Sequence, residues 1–226
     1  PRAGEYHVWA RAMARGEDAA LTLSIDDTGL DILWNDGSSG NSIVIDQAGT
    51  YSVTVTDASQ PAETVTGSYI LKSPVTWDYL NGIALDAPSN GIAKTANNQF
   101  NNSWANSQNE LLGDGSFSFS VNNTSKNLII GLSKSKHTQG SYYAVDYAWE
   151  QYNGNMWIVT TGGGNIGYVS MSVNDVFSMK RDGNIIRYYK NNIAVTHTDT
   201  LPADTLLYLE ASIYHKDAII SNILTD

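Results

Sequence analysis

Cysteine is absent from the 226 residues, which excludes disulfides, thiolate metal sites and cysteine nucleophiles. Charge is scarce too. Asp, Glu, Lys and Arg make up 16% of the chain, against roughly 25% in a typical soluble domain. The polar surface must therefore come from Ser, Thr, Asn, Gly and Tyr, which suits uncharged polar partners. Basic residues are the scarcer sign, and the net charge is -10. Residues 1–73 hold 4 basic and 10 acidic side chains, residues 74–226 hold 9 and 13, and neither part carries a basic stripe. Such a chain repels phosphate backbones and anionic lipid, so nucleic acid and membrane insertion are excluded as expectations. No apolar run approaches the roughly 18 residues of a membrane span, and no signal peptide opens the chain. The opening "PRAGEYHVWARA" already reads as strand, as expected of a piece of a longer parent protein, so a missing signal says little about export.

Helix signals are nearly absent. "HVWARAMARGEDAAL" (7–21) has helix-forming composition, but its apolar positions hold no 3.6-residue period and Gly16 interrupts it. Alternation over 5–13 favours a strand, with helix as the alternative. Elsewhere short β-branched and aromatic runs alternate with turn chemistry. "LTLSI" (21–25), "LDILW" (30–34), "SIVI" (42–45), "TYSVTVT" (50–56) and "TVTGSYIL" (64–71) are separated by Asn35-Asp36-Gly37, Ala48-Gly49 and Gln60-Pro61. "KSPVTW" (72–77) reads as a seam, because Pro74 cannot continue a central strand ladder. About a dozen further strands follow, too many for one sheet, so two stacked antiparallel sheets are expected. The chain is thus expected to be all-β: a small sandwich over 1–73 and a larger jelly-roll-like sandwich over 74–226.

"ILWNDGSSGNSIVIDQAGTYSVTVTD" (32–57) resembles the immunoglobulin-like repeats of Bacteroidetes surface proteins, in which a W-x-D-G-x-x-G turn precedes a G-T-Y-x-V-x-V-T-D strand. Trp34 is then either a core residue or a sugar-stacking platform, and the core reading is the stronger. In the second part, "GDGSFSFSV", "NLIIGLS", "YAVDYAWE", "DVFSMKRDGNIIRYYKNNIAV" and "AIISNILT" follow one another. Their order resembles the concanavalin A-like (lectin/glucanase, laminin-G-like and SPRY-like) sandwiches. The resemblance implies a fold that hosts lectins, glycosidases and adhesion modules alike, so function must be argued from a site. Within "RDGNIIRYYKNNIAV" (181–195) two turns bracket a strand. Its alternation sends Ile186 and Tyr188 to one face and Ile185, Arg187 and Tyr189 to the other.

Glycosidases of that fold are expected to carry carboxylates on alternate residues of one strand. The nearest candidate is "AVDYAWE" (144–150), where Asp146 and Glu150 are expected to share a strand face. Four residues of extended strand span about 13 Å, too far for the roughly 5–5.5 Å of a retaining pair. Ala144 and Ala148 stand where further acids would be needed. No catalytic residue is assigned. His7, His137, His197 and His215 form no metal-binding spacing, so no metal ligand is assigned either. No cofactor is expected. Loop Asp and Asn oxygens could take a structural calcium, although no D-x-D-x-D-G run is present. "TTGGGNIG" (160–167) lacks the lysine and helix of a phosphate loop and reads as a hairpin loop.

Six Trp and 13 Tyr stand beside only 4 Phe. Tyr and Trp combine an apolar face with a polar edge, which suits sugar rings. In "YYAVDYAWEQYNGNMW" one parity holds Tyr143, Val145, Tyr147 and Trp149, the expected core face. The other holds Tyr142, Asp146, Glu150 and Tyr152, the expected binding face. Trp157 and Trp104 stand near loops rich in Asn and Gln. These six, Tyr142, Asp146, Glu150, Tyr152, Trp157 and Trp104, are the candidate ligand-binding residues. The expected function is non-catalytic carbohydrate binding or adhesion by a secreted or cell-surface bacterial protein, with a polysaccharide or glycan and the other domains of the parent chain as partners. A purely structural spacer and a glycoside hydrolase or lyase are the alternatives.

Overall fold

A computed structural model of the chain describes residues 8–12, 21–25, 30–45, 49–57, 60–138, 145–160 and 164–226. The chain forms two compact units, Pro1–Ser73 together with Asp226, and Pro74–Thr225. Among the described residues the only helical element is one 3-10 turn, Ala87–Ser89. No helix is long and apolar enough to cross a membrane.

The smaller unit contains β1 (Val8–Ala12), β2 (Leu21–Ile25), β3 (Leu30–Trp34), β4 (Ser42–Ile45), β5 (Gly49–Asp57) and β6 (Gln60–Leu71). They form two three-stranded sheets, β1-β2-β4 and β3-β5-β6. Residues Val8–Ala12 form a strand, as the alternation over 5–13 favours, and residues 13–20 of the helix alternative lie outside the described residues. The sequence places a turn at Gln60-Pro61, but β6 begins there, with Asp57 paired to Gln60. A proline as second residue of a strand costs the ladder little. Ile43 and Ile45 of one sheet meet Trp34, Val53 and Val55 of the other. Trp34 is 2% exposed, and its indole N–H donates to the Gly40 carbonyl at 3.0 Å. It is a core residue and offers no ring face to a sugar. The turn after it is held locally. Asp36 accepts from the Ser38 amide at 2.8 Å and from its hydroxyl at 2.7 Å, and these bonds hold the Asp36 carboxyl below its ordinary range. Gly37 takes φ +86°, which a side chain would resist.

In the larger unit, one sheet runs β19 (Ile193–Thr200), β18 (Ile185–Lys190), β17 (Phe177–Asp182), β12 (Gly115–Val121), β21 (Ile219–Thr225), β10 (Gly91–Lys94), β9 (Ile83–Asp86), with the two-residue β7 (Ser73–Pro74) also on β21. The other runs β16 (Gly164–Ser170), β15 (Asn155–Thr160), β14 (Tyr147–Tyr152), β13 (Leu128–Ser133), β20 (Leu206–Ile213), β11 (Trp104–Leu112), β8 (Trp77–Asn81). Two stacked sheets were expected, and they are present. Between them lies a continuous apolar core. Trp149 joins the layers: its ring meets Phe177 at 5.4 Å and Tyr188 at 5.3 Å, both edge-on. Its N–H donates to the Ser178 carbonyl at 3.2 Å. The 181–195 hairpin alternates as its sequence implies. Ile186 and Tyr188 are fully buried, whereas Ile185, Arg187 and Tyr189 are half-buried. Its second turn places Asn191 and Asn192 at φ 50° and 64°, values that asparagine tolerates better than most side chains.

β11 has no counterpart in the sequence reading. "WANSQNE" looks like loop because its polar residues are unbroken. A shift in register between Asn106 and Glu110 on the β20 side explains the missing alternation. β14 is shorter than the 142–152 run suggested, and 139–144, with Tyr142, lie outside the described residues. Asp146 precedes the strand and so shares no regular strand face with Glu150. Val145 does not follow Tyr147 and Trp149 into the core between the sheets; it packs with Trp104, Ile129, Ala148 and Val159 on the outer side of the seven-stranded sheet. Strand alternation cannot extend to a residue that is not in the strand.

Candidate functional site on the outer face of the seven-stranded sheet

The outer face divides into a covered half and an open half. β13 reads "LIIGLS", apolar on both parities, and all six residues are buried. The inner parity meets the core. On the outer parity Ile129 packs with Val145 and Phe100, and His137 lies over the adjoining β20 and β11. Gly131 is required here, since a Cβ would stand 2.0 Å from the Tyr147 carbonyl oxygen and 2.6 Å from the Ala148 Cα.

The covered half is anchored by Glu210 of β20, which is 0% exposed. Its Oε1 accepts from the His137 amide at 2.6 Å. Its Oε2 lies 2.8 Å from His137 Nδ1. Burial pushes the Glu210 carboxyl above its ordinary range, opposed by the bonds from His137 and Ser133. Asn106, opposite Glu210 in the sheet, donates from Nδ2 to the His137 carbonyl at 2.5 Å. The Trp104 ring meets the His137 ring edge-on at 6.0 Å. Trp104 Nε1 and Asn106 Oδ1 are buried without a hydrogen-bond partner. Lys136 reaches Asp78 at 2.9 Å and lies 5.0 Å from the centre of the Tyr208 ring. Replacing Glu210 by alanine removes the acceptor of two His137 donors. The expected cost is about 2 kcal/mol, read by urea denaturation, with faster hydrogen exchange at the His137 amide. An unchanged His137 exchange rate would contradict this anchoring.

The open half lies on β14, β15 and β16. Glu150, Trp157 and Tyr168 stand opposite one another across the three strands. The Trp157 and Tyr168 ring centres are 4.6 Å apart at 42°, and Trp157 Nε1 donates to the Tyr152 carbonyl at 3.3 Å. Tyr168 is 59% exposed and Tyr152 42%. The half-buried Trp157 ring and the exposed Tyr168 ring make an aromatic ledge, with the exposed Tyr152 on the neighbouring strand.

Of the six candidate residues, Trp157, Tyr152 and Glu150 are neighbours. Glu150 is only 4% exposed. Asp146 lies apart; its carboxylate accepts from the Lys134 amide at 2.8 Å and lies 3.5 Å from Lys134 Nζ. Trp104 is the first residue of β11, directly after the loop 95–103, but is fully buried, and Trp157 lies inside β15, paired on both sides. Tyr168 escaped the sequence reading although the alternation of "IGYVSM" places it outward. Glu210 escaped it as well. Its signal was a lone acid inside the apolar run "LLYLEASIY". Among the described residues no group of three or more His, Asp or Glu could hold a metal ion.

His215 sets a pH limit near this sheet. The Asn127 amide donates to His215 Nδ1 at 2.8 Å, so the ring must be neutral at that nitrogen. Burial, then Lys126 and Lys94, hold its pKa below 6.5. A lowered histidine pKa means the unfolded chain binds the proton first as pH falls. The contribution is therefore complete above the unfolded value and lost below it. Thermal melts between about pH 7 and about pH 5 should show a drop that His215→Ala reduces.

No family model and no curated protein matches the chain. Among solved structures, the exoplasmic/lumenal domain of VIP36 in its Ca2+/Man-bound form is similar, with a TM-score of 0.50 at 10% identity, over 69% of this chain and 88% of that one. The SPRY domain of human HERC1 gives 0.48 at 13% identity, over 69% and 98%. The carbohydrate binding module CBM66 from Bacillus subtilis gives 0.45 at 10%, over 69% and 96%. The likeness to the VIP36 domain concerns the fold alone, a concanavalin A-like sandwich of two antiparallel sheets.

Proposed function

We propose that residues 74–226 form a non-catalytic carbohydrate-binding module, and that residues 1–73 form an immunoglobulin-like spacer in a secreted or cell-surface protein. The ledge of Trp157, Tyr168 and Tyr152 supports this reading most directly. Rings with exposed faces on an otherwise hydrogen-bonding surface match the C–H faces and hydroxyls of a sugar. Structures of similar fold include a named carbohydrate binding module and a mannose-bound domain, which agrees with the reading at the level of fold.

The carboxylates argue against hydrolysis at this face. Glu150 and Glu210 sit two strands apart and are offset by two residues along them, which puts their Cα atoms about 12 Å apart at the usual strand spacings. Side chains reaching toward each other cover the difference between that spacing and the roughly 9.5 Å between the carboxyl groups of an inverting pair, so burial carries the argument. Each acid is buried. The second reading, a structural appendage, is favoured by one observation: Trp104, one of the candidate aromatics, is entirely inside. A screen of neutral and charged polysaccharides by affinity electrophoresis separates the two. Retardation by a neutral glycan supports the binding module, and no retardation by any glycan supports the appendage.

A further inference from the structure

A cleft of about 550 Å³ lies on the other sheet, where β12 and β21 meet the loop before β17. Ser120 and Ser221 face each other across that strand pair and supply hydroxyls to its wall. Asn174 and Asn222 contribute amides, and Val173 and Val176, 47% and 41% exposed, contribute an apolar surface. The one charged residue in the lining, Asp86, already accepts from the Ser89 hydroxyl. The four polar side chains, by contrast, have no hydrogen-bond partner among the described residues.

Two features build this wall. In β21 the pairing jumps from Ser118–Leu224 to Ser120–Ser221, so one extra residue bulges at Asn222–Ile223. Asn222 adopts φ +50° and is exposed, and the following Ile223 amide donates to the Asn90 carbonyl at 3.0 Å. Bulges of this kind re-aim a side chain within a sheet. Asn174 adopts φ +80° in a loop that is held in place. Asp175 accepts from the Ser172 amide and the Asn191 side chain, both at 2.8 Å, and the Val176 amide donates to Asn191 Oδ1 at 2.8 Å. Two non-glycine residues held at positive φ over one cleft carry a conformational cost. The backbone positions that carry the two amides are therefore fixed.

We propose that this cleft is a second binding site, for one or two residues of a neutral sugar. Its volume lies within the usual range for small ligands. Hydroxyl and amide groups offer both donors and acceptors, as sugar hydroxyls require, while the valines offer a surface to ring C–H groups. Without a free basic residue it does not suit an anionic ligand. At β12 and β21 a peptide strand has no edge to join, because β12 lies between β17 and β21, and β21 between β12 and β10. The site is separate from the Trp157–Tyr168 ledge and stands whether or not that ledge binds.

Amide chemical-shift mapping of the whole chain tests it. The probes are cello-, manno-, xylo-, galacto- and malto-oligosaccharides at about 10 mM, ten times the dissociation constant of a millimolar site. At least one probe should shift Ser120, Asn174, Ser221 and Asn222. Asn174→Gly with Asn222→Gly keeps the backbone free to hold positive φ and removes both amides, and should weaken that binding about tenfold or more. No shift at these four residues with any probe, or unchanged affinity in the double variant, would overturn the proposal. Shifts confined to Trp157 and Tyr168 would leave the ledge standing and the cleft refuted.

Discussion

Replacing Lys94 by methionine should destabilise the larger unit by about 3 kcal/mol, the cost of leaving several buried acceptors unpaired. Lys94 ends β10 and is 1% exposed. Its ammonium donates to Asn102 Oδ1 at 2.8 Å, to the Ile213 carbonyl at 2.7 Å and to the Gln99 carbonyl. Three donors thus meet three acceptors. The arrangement ties residues 95–103, which lead into β11, to the end of β20. Methionine fills similar volume but leaves all three oxygens unpaired. For a unit of this size the melting temperature should fall by about 10 °C. A second reading comes from pH. Burial draws the Lys94 pKa from 10.5 down to about 8. Between those values the folded chain sheds its proton before the unfolded chain does, so stability rises with pH across that window. Below pH 8 both states carry the proton and the term is constant. The stability difference between wild type and Lys94→Met should therefore widen above about pH 8. A difference that stays flat would show that Lys94 does not titrate early.

Replacing Tyr168 or Trp157 by alanine should weaken glycan binding by about 2 kcal/mol each, roughly thirtyfold, as for aromatic hot spots elsewhere. Tyr168→Ala is the cleaner variant. Its side chain is largely exposed, whereas Trp157 also packs against the cluster of Trp104, Ile129 and Val159. The two rings touch, at 4.6 Å between centres, so the losses should not add, and a double-mutant cycle should return a clear coupling energy. A ledge that stacks on an uncharged ring should also bind with little dependence on salt. Steep salt dependence, or full affinity in Tyr168→Ala, would move the site elsewhere.

Much of the fold is legible because strand alternation is a local signal. "LTLSI", "LDILW" and "SIVI" are strands with the same bounds that their composition suggests. The 181–195 hairpin assigns each side chain to its face, because its two turns fix the register. The open ledge was half legible for the same reason. Tyr152 and Trp157 stand out as aromatics in an alternating run, and Tyr168 is found by asking which residue pairs with Trp157.

The covered half of the sheet was not legible, and the reason is physical. Alternation tells which face a residue takes, but not whether another segment crosses that face. Trp104 and Glu210 point outward from the sandwich and would be surface residues if nothing crossed there. His137, 73 residues before Glu210 in the chain, closes over both. Glu150 is buried on the same face. The sequence by itself determined an all-β chain, the acidic and cysteine-free character that narrows its partners, and the alternation of its regular strands. Tertiary structure alone decided which outward residues meet solvent. Long-range crossing segments determine that burial, and burial separates an aromatic that can bind a sugar from one that only fills the interior.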